Sequence, residues 1–244
     1  MVSLRNLPTP EAAIAVILHG PDHAVGNLLE SVRQAGPRAR PLLEDLARHK
    51  DPVVRGWALS AVASAIGSAG VDLIMAHAKG DRDADVRDIA IELLLEMDRD
   101  AVRRMLAPAL RRKLRSKDLH VPVTAMWALA AIDDRSSMDA IRAIADNAEI
   151  GFHRKVAGVV CMILQGRSDE ILDAIHHHDH ERMPWLTKAA RIVGTREARR
   201  VLEQCAEAPI DDECRNWCRK EAEYLARQQG TTPGRRVGES TDLS

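Results

Sequence analysis

The chain has 244 residues and a formal net charge of -1, so no excess of one sign argues for a nucleic-acid or membrane-surface partner. Hydrophobic residues make up 45% of it, ample for a folded core. Aromatic residues make up only 2%, too few for the usual β-sandwich or barrel, so an all-α chain is expected. Four cysteines without disulfide-like density point to a reducing, cytoplasmic setting.

In chain order, Thr9-Pro10-Glu11 opens a first helix with proline in its first turn. The apolar run 12–18 inside it is too short to span a bilayer and lacks the basic lead of a signal peptide, so no membrane association is expected. A phrase then repeats, D-P-V-V-R-G-W-A at 51–58 and D-A-D-V-R-D-I-A at 83–90. Taking its alanine as an anchor, looser copies place equivalents at Leu29, Ala58, Ala90, Ala125, Ala157, Ala189 and Ala222, spaced by 29 to 35 residues. Apolar residues at −4, 0, +3, +4 and +7 lie on one stripe of a helix, so each copy predicts one buried helix. Asp22, Asp51, Asp83 and Asp118 stand seven before their anchors, where an N-cap belongs. Second amphipathic segments at Pro10–His19, 37–49, 140–147 and 196–206 alternate with them. Breakers mark the turns: Gly67-Ser68, Gly80-Asp81, Asp133-Asp134, Gly166-Arg167 and Gly194-Thr195. Neither helix of such a hairpin buries its apolar face alone, so the hairpins must stack. The stretch from Gly230 onward has no periodicity and reads as a disordered tail, leaving residues 1–229 for the array.

The D-x-x-V-R-x-x-A phrase with its following apolar pair resembles the HEAT-repeat family, including the HEAT-like repeats of phycobilin lyases. Later copies depart from the pattern: Pro122 and Leu186 replace the arginine, and the aspartate is lost after the fourth repeat. The resemblance implies a right-handed α-solenoid of about seven stacked hairpins. It also implies an Asp/Arg ladder between neighbouring repeats, formed here by Asp51, Arg55, Asp83 and Arg87. The second helix of each hairpin would line a concave face.

On those second helices, positions −2, +2 and +5 from the anchor point away from the buried stripe. In the middle repeats they place Leu95, Val123, Trp127, Ala130, Val159 and Met162 as an apolar strip, rimmed by Asp88, Glu92, Lys155 and Arg191. An exposed apolar strip with a charged rim is the signature of a partner site, and tryptophan is a favoured anchor. The competing reading is that tight curvature buries the strip. Trp57 and Trp185 fall on the buried flank. The function expected is a non-catalytic protein-binding scaffold that takes a protein or peptide in the concave groove, with no cofactor. The alternatives are an enzyme or enzyme subunit of the bilin-lyase-like class, which a pocket uniting His153, Arg154 and Glu92 would favour, and a nucleic-acid-binding HEAT-like protein.

Three local clusters carry possible chemistry. His176, His178 and His180 crowd a turn with His177 and Asp179, but adjacent turn residues point in different directions, and no metal is expected. Cys205, Cys214 and Cys218 lack a standard zinc or iron–sulfur spacing, and Cys161 and Cys218 occupy apolar repeat positions. Arg103, Arg104, Arg111, Arg112, Lys113, Arg115 and Lys117 form one basic stretch on a long first helix of the fourth repeat. It reads as a solvated face rather than a phosphate-binding patch, and a nucleic-acid partner is not expected.

Overall fold

Each anchor of the repeat lies on a helix, and each expected turn falls at or between helix ends. The computed structural model describes residues 7–116, 121–147, 149–179 and 181–230. Among these residues the chain forms fifteen α-helices, three short 3-10 turns and no strand. In order the helices are α1 (Pro10–His19), α2 (Asp22–Ala35), α3 (Arg40–Ala47), α4 (Pro52–Ala65) and α5 (Val71–Gly80). Then come α6 (Ala84–Met97), α7 (Arg99–Met105), α8 (Ala107–Lys113), α9 (Val121–Ala131) and α10 (Met138–Asn147). Last are α11 (Gly151–Leu164), α12 (Ser168–His176), α13 (Met183–Val193), α14 (Arg196–Glu207) and α15 (Asp212–Gly230). The long basic helix expected in the fourth repeat is two helices, α7 and α8. Pro108 sits in the first turn of α8, where its missing N–H costs nothing but where it cannot continue α7. The tail beyond Gly230, Lys117, Asp118 and His180 lie outside the described residues.

Helix packing divides the chain into two compact units, Met1–Ile141 and Arg142–Ser244, with the boundary inside α10. In the first unit the anchor helices pack on one another in sequence, α2 on α4, α4 on α6 and α6 on α9, and each also packs on its own hairpin mate. The second unit repeats the scheme, with α11 on α13, α13 on α15 and α12 on α14. The anchors Ala58, Ala90, Ala125, Ala157, Ala189 and Ala222 are all buried in these seams. Close packing also explains one glycine. A methyl on Gly70 would sit 2.2 Å from Val62 Cγ1, so the turn before α5 presses directly on α4.

Caps follow the expected positions at two repeats. Asp51 accepts from the Val53 N–H (2.8 Å), and Asp83 accepts from the N–H groups of Asp85 (3.0 Å) and Val86 (3.2 Å). Asp22 is not a cap. Pro21 occupies the cap position, and Asp22 lies in the first turn, where its charge faces the helix dipole.

The expected pairing among Asp51, Arg55, Asp83 and Arg87 is not what forms. Arg55 is buried and makes a bidentate pair with Asp81, not Asp83, through Nε–Oδ2 (2.9 Å) and Nη2–Oδ1 (2.7 Å). Its Nη1 donates to the carbonyls of His49 (3.0 Å) and Lys50 (2.9 Å). The carboxylates of Asp51 and Asp83 serve as caps, so they reach Arg55 only as nearby charges. Arg87 Nη1 donates to the Asp81 carbonyl (2.6 Å), the same six-residue backward step that Arg55 makes to His49. The residue two before each cap also plays one role twice. His49 Nδ1 accepts the Asp51 N–H (3.1 Å), and Asp81 Oδ1 accepts the Asp83 N–H (2.9 Å). The two helix junctions are therefore built alike in their backbone contacts, around Arg55, which is buried, and Arg87, which is half-buried. Burial alone would raise the Asp81 carboxyl, but Arg55, the Asp83 N–H and His77 (2.6 Å) together hold it well below the ordinary carboxylate range.

Candidate partner-binding surface

The apolar strip expected on the middle repeats is largely packed away. Trp127 is 5% exposed, and Ala130, Val159 and Met162 are buried, while Leu95 and Val123 are half-buried. The reason is legible in the helices themselves. α9, V-P-V-T-A-M-W-A-L-A-A, carries no charged residue, so it has no polar face to turn to solvent and is covered from several sides. It packs against α6 and α8. The last nine residues of α11 are likewise uncharged. Trp127 is thus a core residue of the first unit rather than an exposed anchor.

The rim residues are placed as follows. Glu92 is exposed on α6. Asp88, on the same helix, is half-buried and accepts a hydrogen bond from Thr124 Oγ1 (2.6 Å) on α9. Burial raises its carboxyl above the ordinary range, opposed by that bond and by the charges of Lys113 and Arg87. Burial correspondingly lowers the Lys113 ammonium, opposed by Asp88. Lys155 pairs with Glu181 and stands 5.9 Å from the centre of the Trp185 ring. Arg191 lies 3.5 Å from Glu221 and 4.7 Å from the centre of the Tyr224 ring. Asp88, Glu92, Leu95, Val123 and Trp127 belong to the first unit, and Lys155, Val159, Met162 and Arg191 to the second. Of the three residues that would have favoured an enzyme, Glu92 belongs to the first unit and His153 and Arg154 to the second; His153 is buried and Arg154 exposed.

What sequence reasoning missed lies at the start of α11. Phe152, the single phenylalanine of the chain, is 44% exposed, and Ile150 beside it is 39% exposed. The Phe152 ring meets Trp185 of α13 edge-on, with centroids 5.7 Å apart and planes at 69°. Trp185 is therefore part of a surface cluster, not simply of the core flank where the repeat placed it. Lys155 Nζ also lies over that indole, so the aromatic pair has a cation beside it.

The same helix leads into an open cleft. Residues 152, 155, 158 or 159 and 162 recur at helical spacing, so they follow one face of α11. Gly158 and Met162 from that face line a cleft of about 560 Å³ with α12 and the turn after it. Its rim alternates in charge. Arg167 pairs with Glu170, Arg182 with Asp179 (2.6 Å), and His177 lies 3.8 Å from Asp173. The volume falls in the range of ligand and peptide pockets.

Several residues of the remaining clusters have partners within the fold. Arg111 makes a bidentate pair with Asp134 (2.8 and 2.7 Å), and Arg103 donates to the Ile132 carbonyl (2.7 Å), so both tie their hairpin together. The His176 and His177 rings lie 5.6 Å apart at a tilt of 52°, and His178 turns the chain at a φ of 54°. Among the described residues no group of three or more His, Cys, Asp or Glu could hold a metal ion. All four cysteines are buried, and none is in a disulfide. No protein-family model matches the chain, and no curated protein matches it either.

Proposed function

We propose that the protein is a non-catalytic, protein-binding scaffold of the cytoplasm, built from HEAT-like hairpins that stack as a solenoid. Its partner engages the face of α11 that runs from Phe152 and Lys155 into the cleft at Gly158 and Met162. The observation that carries this reading is the exposed Phe152 set against the half-buried Trp185. In a chain whose large hydrophobic side chains are mostly buried, its one phenylalanine stands in solvent against a tryptophan, beside an open cleft with a charged rim. A rigid aromatic anchor next to a concavity is what interface hot spots are made of, and a preformed surface loses little entropy on binding. The stacked array is supported by the two alike junctions at Arg55 and Arg87 and by the sequential packing of anchor helices within each unit.

Affinity purification from native cell extract, with wild type beside Phe152→Ala, tests this directly. A protein held by wild type and lost by the variant is expected, with the far-UV circular dichroism of the two unchanged. Equal recovery by both would move the site off α11. An eluate holding nucleic acid or a chromophore and no protein would overturn the scaffold reading.

A further inference from the structure

The first unit carries an apolar patch that the α11 face does not include. α4 and α6 start side by side, tied by the Arg55–Asp81 pair and by Arg82, which donates to the Lys50 carbonyl. Further in, the two helices touch at Gly56. A methyl there would stand 3.1 Å from Ile89 Cδ1, so the Ile89 side chain lies across bare α4 backbone. Gly56 falls in the turn between Val53 and Trp57, which are four apart and share a face of α4. Val53 is 60% exposed and Ile89 36%, while Trp57 is half-buried. Exposed apolar residues scattered singly need no explanation, but these three stand together.

The charges beside the patch have one sign. Steps of four, three and four residues carry the face of α4 through Val53, Trp57, Ser60 and Ser64, all exposed but Trp57. The same steps carry α6 through Asp85, Ile89, Glu92 and Glu96, all exposed. Neither row holds a lysine or arginine. Arginines on and beside these helices bond elsewhere: Arg55 to Asp81, Arg87 to the Asp81 carbonyl and Arg99 to the Leu95 carbonyl. Lys50 and Arg82 precede the two helices, at one end of the rows.

We propose that this patch is a second docking face, which takes a cationic amphipathic helix of a partner protein. Apolar residues of that helix, recurring every three or four positions, cover Val53, Ile89 and Trp57. Its lysines or arginines meet Asp85, Glu92 and Glu96. The same carboxylates repel acidic helices, nucleic acid and anionic bilayers. This face belongs to a different unit from α11 and does not depend on binding there.

The test titrates the full chain, its isoleucine methyls labelled for NMR, with a synthetic leucine–lysine helix of about 18 residues. A leucine–glutamate helix of the same design is the control. The lysine peptide should shift the Ile89 methyl and leave that of Ile150, which precedes α11, in place. The glutamate peptide should shift neither. Val53→Ser should weaken binding of the lysine peptide about fivefold, and Glu92→Lys with Glu96→Lys about tenfold. No shift at Ile89, a shift at Ile150 alone, equal binding of both peptides, or an affinity unchanged by Val53→Ser would each overturn the proposal. None of these results bears on Phe152→Ala, so the two faces fail separately.

Discussion

Replacing Asp81 by asparagine should unfold the first unit more readily than any exposed substitution nearby. Arg55 is 4% exposed, and the Asp81 side chain is 3% exposed, so the pair is out of water. Asparagine keeps the shape but removes the charge, and one of the two guanidinium bonds loses its acceptor. Breaking a buried pair from one side typically costs about 3–5 kcal/mol. Arg55 keeps the carbonyls of His49 and Lys50, and the asparagine oxygen still accepts one bond, which favours the lower end, about 3 kcal/mol. Urea unfolding followed by circular dichroism measures this. Adding Arg55→Met to the variant should recover part of the loss, because no charge is then buried unpaired. The acid limb gives a second signature. The folded Asp81 carboxyl is held below its unfolded value of about 3.9, so its contribution is fully present above that pH and is lost as pH falls through the folded value. Wild type should therefore lose stability below pH 4 with a steeper slope than Asp81→Asn. A loss under about 1 kcal/mol with an unchanged acid slope would refute the reasoning that this pair is a buried strut.

Other substitutions separate core from surface. Trp127→Ala should cost about 3–5 kcal/mol in urea unfolding, as for a buried aromatic residue, whereas Phe152→Ala should cost about 1 kcal/mol because much of its ring is already in water. Gly70→Ala should lower the melting temperature, since the new methyl would overlap Val62 and valine has little rotamer freedom to yield. Gly158→Ala should raise stability by about 0.5–1 kcal/mol, because its added methyl meets nothing within 4 Å in a helix interior.

The helices were legible because their signals are local. Apolar residues recurring around each anchor, breakers such as Gly166 and Gly194, and caps at Asp51 and Asp83 all act within a few residues. The partner of Arg55 was misread by two residues because the repeated aspartate is spent on its own helix start, leaving Asp81 to meet Arg55. At the equivalent place in the preceding junction stands His49, so comparing the two phrases could not flag the position. The strip failed for a different reason. Assigning one buried stripe per helix assumes a polar face on the other side, and α9 has none; its lack of any charged residue was the available signal. Phe152 escaped because it stands five before its anchor, outside the rows taken as outward. No local rule reports that an aromatic at a helix start will lean on a tryptophan 33 residues later.

The most direct test of the binding face is a photo-crosslinking amino acid placed at position 152, with a control at Met105, which is 49% exposed in the first unit. After irradiation in cells, the binding account predicts a discrete crosslinked protein from position 152 and none of that mass from position 105. The same crosslink from both positions, or crosslinking from 105 alone, would contradict it.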